Sequence, residues 1–230
     1  MQVAAIVAAA GAGSRLGKGS KALVQLNGRT TLARVVEFFL SLDEVDRIVV
    51  VGPPARLQTA RLEVDALQPR KAVTVCAGGD SRQQSVRAGL AALSTSPPDY
   101  VLVHDAARPM ASAALARRVL AAAIESGAAF PGLRPRDAVK RVEAGRLVES
   151  LDRSRVVLAQ TPQAFGYQLL LRAHFEAFDA GLVGDDDAQL VAAGGSPVTV
   201  VEGEPTNIKL TTREDLEVLE ALIREHEGVH

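Results

Sequence analysis

Residues 3–32 read VAAIVAAAGAGSRLGKGSKALVQLNGRTTL. Val3 to Ala10 is apolar and short enough for a fully buried strand. It breaks into a glycine-rich basic loop and then into a helix. Gly11 and Gly13 let backbone amides approach an anion without a Cβ in the way, and Arg15, Lys18 and Lys21 add fixed positive charge beside them. This order of elements builds a phosphate site and suits a triphosphate whose charge grows as a bond to phosphorus breaks. Two familiar loops do not fit. In a dinucleotide fingerprint counted from Gly11, the third glycine position holds Leu16, and the nearest acid, Glu37, falls inside a helix and not at a strand end. A Walker A loop fits only in a register that places Ala12 for the first glycine and Gly19 for the metal-binding hydroxyl. Taken alone, the loop is also compatible with an ordinary strand-to-helix turn carrying solvated basic residues.

Outward from this stretch, 230 residues suffice for one sizeable core, and residues 1–230 are expected to form a single domain. Lys and Arg number 26 against 27 Asp and Glu, for a formal net charge of -1, so the cations are placed locally and make no global field for a polynucleotide. Aromatics are only 3% with no Trp, which argues against base-stacking or bilayer-anchoring surfaces. Cys76 is the only cysteine; an intrachain disulfide and a CxxC motif are excluded, and in AVTVCAGG it reads as a structural thiol. No basic residue precedes the first apolar run, and no run approaches the ~18 apolar residues of a membrane span. No nucleic-acid or membrane partner and a cytoplasmic location are expected.

The remaining pattern alternates strands and helices. Thr30 and Thr31 offer caps to a helix with Leu32, Val35, Val36, Phe39 and Leu40 on one face. RIVVV (47–51) and VTVCA (73–77) read as strands, with helix plus loop of unknown role over 53–70. Ser81 and Gln84 fit a capping box. YVLVHD gives a strand ending at Asp105, and Ser112 caps a helix carrying Leu115, Val119 and Leu120. VVLAQTP and PVTVVEG read as strands, GYQLLLRAHFEAF as a helix, and Thr211 with Glu214 as the cap of the last helix. The fold class is therefore α/β, a single Rossmann-like three-layer domain with a mostly parallel twisted sheet, whose ligands gather at the carboxyl ends of the strands. DAVKRVEAGRLVES departs from this. Its alternation about Glu143, Ala144 and Gly145 predicts a β-hairpin arm at about 135–155, either projecting or folded back on its own core.

GAGSRL followed by Lys21 and LNGRTTL, then GGDSRQQSV (78–86), VHDAARP (103–109), LDR (151–153), QTPQAF (160–165) and VEGEPTNIKLT (201–211), occur in an order that resembles the 2-C-methyl-D-erythritol 4-phosphate cytidylyltransferase family, within the sugar-phosphate nucleotidyltransferase superfamily. The resemblance implies attack by an acceptor phosphate oxygen on the α-phosphorus of CTP, with release of pyrophosphate in non-mevalonate isoprenoid biosynthesis. It implies catalytic roles for Arg15, Lys21 and Lys209. Nucleotide contacts would come from Ala8, Ala9, Ala10, Gly11, Gly13, Gly79, Asp80 and Ser85, and acceptor contacts from Asp105, Arg108, Arg153 and Thr161. Mg2+ is implied as the cofactor, with Asp105 a candidate ligand, as is a homodimer embraced by the hairpin arm. Lys18 has no counterpart.

Two positions depart from the family pattern. Ala138 stands where threonine is frequent on the arm, and Asp185 where threonine precedes an acidic pair; either change would weaken a phosphate contact. They keep two alternatives open: a cytidylyltransferase for another polyol phosphate such as ribitol 5-phosphate, and a catalytically silent nucleotide-binding regulatory protein. HEGVH at 226–230 matches HExxH, but Gly228 interrupts the helix and no third ligand follows, so zinc chemistry is not expected. His104 and His174 read as local packing or surface residues.

Overall fold

The structure is a computed structural model that describes residues 1–11 and 20–228. Gly13, Arg15, Lys18 and His230, all singled out from the sequence, lie outside the described residues.

The first strand, β1 (Val3–Ala8), is buried on both faces. Val3, Ala5 and Val7 join one apolar cluster, while Ala4 and Ile6 join another. That alternation requires a cover on each side of the sheet. A two-residue pair, β2 (Gln25–Leu26) and β3 (Arg29–Thr30), turns through Asn27 and Gly28, both at positive φ, into α1 (Thr31–Ser41). Thr30 is the N-cap, its Oγ1 accepting from Ala33 N at 3.1 Å. Then follow β4 (Arg47–Gly52), α2 (Leu57–Ala66) within the stretch of unknown role, and β5 (Ala72–Ala77). Cys76 on β5 is half-buried and its thiol is pushed up by burial. Next come α3 (Arg82–Ala92), β6 (Tyr100–Asp105), α4 (Ala113–Ser126) and β7 (Ala128–Leu133). The first cluster sets α1, α2 and α4 against one sheet face.

The hairpin is β8 (Lys140–Glu143) and β9 (Arg146–Ser150), with Glu143 opposite Arg146 and both Ala144 and Gly145 at positive φ, the two-residue loop that suits the twist of a β-ribbon. All nine strand residues are exposed, so this pair does not lie against its own core. Beyond it, β10 (Leu158–Ala159) and β11 (Gln163–Gly166) precede α5 (Tyr167–Asp179), α6 (Asp187–Ala193), β12 (Thr199–Glu202) and α7 (Arg213–Glu227). The second cluster places α3, α5 and α6 on the other sheet face, which completes three layers. A third cluster packs α7, through Leu219 and Ile223, against Val24, Leu26 and Leu210.

Pairs β1–β4, β1–β6, β4–β5 and β7–β12 are parallel, whereas β11 is antiparallel to β6 and β7, and β10 to β7. Two expectations shift. VVLAQTP contributes only Leu158–Ala159 to the ladder, and pairing resumes in QAFG beyond the cis Thr161–Pro162 bond. The cap of the last helix is Thr212, not Thr211. It forms a capping box with Asp215, while the Thr211 hydroxyl donates to the same carboxylate. The box predicted at Ser81 is half made. Ser81 Oγ accepts from Gln84 N at 3.1 Å, but Gln84 Oε1 takes Asp80 N. Among the described residues, no helix is long and apolar enough to cross a membrane.

Candidate active site

A pocket of about 630 Å³ opens at the carboxyl ends of the parallel strands. It is lined by Ala8–Gly11 at the end of β1, Lys21, Gly79–Ser81 before α3 with Arg82 and Ser85 in its first turn, Asp105–Ala107 at the end of β6, and Lys209. Parallel pairing sets these ends side by side: Ala8 lies opposite Asp105, and Ala106 N donates to Ala8 O at 3.1 Å. Ala9 N likewise donates to Val51 O at 2.9 Å. On the other wall, the Ser85 hydroxyl donates to Ser81 O at 2.8 Å and accepts from Gly79 N at 3.3 Å, so its first task is to shape the 79–81 turn. A Cβ on Gly78 would stand 2.5 Å from Ala10 Cβ and 2.7 Å from Ser85 Oγ, so the two walls touch only because that residue has none.

Asp105 is the buried carboxylate of the pocket. Its Oδ1 accepts from Arg82 Nε at 2.9 Å and its Oδ2 lies 2.7 Å from Lys209 Nζ. Burial alone would raise its pKa, but the two cations outweigh that cost and hold the carboxyl well below the usual range. Lys209 is delivered by the 203–211 segment. Leu210 N donates to Ala107 O at 2.8 Å, and the Leu210 side chain is fully buried in the third cluster.

Behind Asp105, its backbone N donates to Thr161 Oγ1 at 3.1 Å, and Thr161 Oγ1 is 2.9 Å from His104 Nδ1. His104 Nε2 faces Arg108 O at 3.0 Å. A carbonyl can only accept, so the proton belongs on Nε2 and the Thr161 hydroxyl donates to Nδ1. This is a neutral imidazole; burial pushes its pKa down to about 4. Arg108 Nη1 donates to Asn207 O at 2.8 Å, and Asn207 Nδ2 to Thr161 O at 2.8 Å. Arg108 and Thr161 thus brace the strand ends and do not line the pocket. Arg153 lies apart at the foot of the hairpin, exposed, with Nη1 donating to Arg136 O at 2.8 Å.

Of the residues singled out from the sequence, Ala8, Ala9, Ala10, Gly11, Lys21, Gly79, Asp80, Ser85, Asp105 and Lys209 converge on one cavity. Arg82 escapes the sequence reading although it stands inside GGDSRQQSV. So does Asp187, which closes an ion pair with Arg82 at 2.7 Å and a contact with His174 Nε2 at 2.9 Å. His174 is no surface residue; it is fully buried and bonded to that carboxylate. Among the described residues, no group of three or more His, Cys, Asp or Glu could hold a metal ion.

The model of the family described as IspD, 2-C-methyl-D-erythritol 4-phosphate cytidylyltransferase, matches residues 3–225. The enzyme of that name from Geobacillus thermodenitrificans is 40% identical over 97% of each chain. A bifunctional IspD/IspF enzyme from Anaeromyxobacter dehalogenans is 45% identical over 96% of this chain, which spans 57% of that longer protein. The crystal structure of 2-C-methyl-D-erythritol 4-phosphate cytidylyltransferase from Thermus thermophilus superposes with a TM-score of 0.80 at 38% identity, covering 97% of this chain and 100% of that one.

Proposed function

This chain belongs to the 2-C-methyl-D-erythritol 4-phosphate cytidylyltransferase family, enzymes of CTP-dependent cytidylyl transfer in isoprenoid biosynthesis, and from that premise we propose how its own residues divide the reaction. The observation that carries the proposal is the convergence of Lys21, Asp80, Asp105 and Lys209 on one pocket beside the Ala8–Gly11 backbone. An acceptor phosphate is already ionised near neutral pH and needs no general base. The protein's work is in-line positioning and neutralisation of charge at the α-phosphorus. Lys21 and Lys209, both lining the pocket, supply that charge, joined by Arg15. The 8–11 and 79–80 backbones with Asp80 hold the cytosine, where a wrong base would leave buried polar groups unpaired. Asp105 holds the acceptor's hydroxyls, and Arg108 and Thr161 fix Asp105 in place. Arg153 reaches an acceptor phosphate on the hairpin of a second copy, in a homodimer.

Nucleotidyltransferases generally use a divalent metal, and we assign Mg2+ here. The residues fit an ion held mainly by the triphosphate and water, with Asp105 the one buried carboxylate lining the pocket among the described residues. When bound, the ion would neutralise phosphate oxygens. Neither another polyol phosphate nor a silent binding protein is favoured by the comparisons, and Ala138 and Asp185 are both outside the pocket lining.

The test is pyrophosphate release by the purified protein with CTP, Mg2+ and either methylerythritol phosphate or ribitol 5-phosphate, with UTP and ATP as controls. Release with CTP and methylerythritol phosphate alone is expected. Release with ribitol 5-phosphate in its place would reassign the acceptor, and no release with either would defeat the reading.

A further inference from the structure

Arg82, at the start of α3, engages two carboxylates at once: Asp105 Oδ1 through Nε and Asp187 Oδ2 through Nη1, at 2.9 and 2.7 Å. Asp187 opens α6 with its side chain 1% exposed, and its Oδ1 accepts from His174 Nε2 at 2.9 Å. On the pocket side, Asp105 Oδ2 meets Lys209, whose side chain is 40% exposed. His174, Asp187, Arg82, Asp105 and Lys209 therefore form one file from the core under α5 to the pocket, with signs alternating from Asp187 outward.

A buried ion pair of this kind often adds no stability over apolar side chains of the same volume, so its consequence is sought in the geometry it imposes. A guanidinium facing a single carboxylate tends to take both oxygens side by side. Asp187 holds Nη1 of Arg82 and so keeps Nε on Oδ1 of Asp105, with Nη2, the arm beside Nε that would reach the second oxygen, left without a hydrogen bond. The second oxygen is left to Lys209, a flexible point charge that can leave it for a phosphate.

Building on the cytidylyl-transfer reading, we propose that Asp187, oriented by His174, is a positioning residue. It restrains Arg82 so that Lys209 rests on Asp105 Oδ2, poised for the nucleotide. Neither Asp187 nor His174 touches the pocket.

The test is a double-mutant cycle. Asp187→Asn should lower kcat about tenfold or more with the KM for CTP within about twofold, and should have no further effect in a Lys209→Met background. Equal losses in both backgrounds, or an unchanged kcat, would overturn the proposal. His174→Gln should act in the same direction more weakly, and it takes the place of Asp187→Asn in the cycle if that variant does not fold. A crystal structure of the variant reads the same point without turnover. Arg82 should be turned onto both oxygens of Asp105 with Lys209 displaced, whereas a retained Lys209 contact sinks the idea. Wild-type turnover is measured first, since its absence would count against the transferase reading while the variant structure still decides this one.

Discussion

His104 shows how a single side chain records its surroundings. It is fully buried, its two nitrogens are committed to Thr161 and Arg108 O, and its pKa falls from 6.5 to about 4. The unfolded chain therefore binds more protons than the folded one between those two values. Its contribution to stability is complete above pH 6.5 and is lost as pH falls toward 4. The change is about 3 kcal/mol, because each tenfold difference in proton affinity is worth about 1.4 kcal/mol. Urea unfolding across that window should show this decline, and His104→Gln should flatten it; a slope unchanged by the substitution would mean that another group titrates there. At this scale the sequence is legible where a motif is contiguous. Asp80, Ser85, Asp105 and Lys209 reach the pocket from short, recognisable stretches. Arg82 and Asp187 are not, because their partnership joins the starts of two helices far apart in the chain, and no local pattern encodes a meeting made by tertiary packing.

Helix α3 shows the same limit in another form. Its spacing identifies Val86, Leu90 and Leu93 as the buried face, and all three are buried. The spacing does not reveal that Gly89 lies against the sheet so closely that an added Cβ would be 2.7 Å from Ile6 Cγ2 and 3.1 Å from Val51 Cγ2. Replacing a mid-helix glycine by alanine ordinarily gains about 1 kcal/mol of helix propensity. Here the opposing atoms belong to branched side chains on central strands, which cannot swing away, and overpacking of about 1–3 kcal/mol wins. Gly89→Ala should lower the urea midpoint, and a raised midpoint would mean that α3 can lift from the sheet without loss. The strands are mostly readable from apolar runs. The exception is the path along β7, where Ala159 to Ala164 takes five steps against three from Gly132 to Ala129. The extra residues fall around Gln160 and Thr161, whose side chains are spent on Glu204 O and His104, so polar bracing and not β-propensity sets the break.

In the molecule as a whole, the hairpin carries apolar side chains that its own fold leaves uncovered, with Val142 55% and Leu147 64% exposed. A two-stranded ribbon is marginal alone, and the proposed homodimer would cover the apolar side chains on it. Sedimentation should find two chains, and Val142→Lys with Leu147→Lys should give one chain without lowering the melting temperature. A monomeric wild type would remove the partner from the proposed reaction. The three layers are legible because most parallel strands are separated from the next by a helix, while the direction of the hairpin is not, since its alternation suits either fate. The pocket draws its walls from residue 8 through residue 211. On a ribosome the first wall emerges long before the last, and a partly synthesised chain has no complete cradle for a nucleotide. CTP binding is thus a report that translation has passed Lys209 and Thr211, which makes the ligand a natural probe of when this cradle is complete.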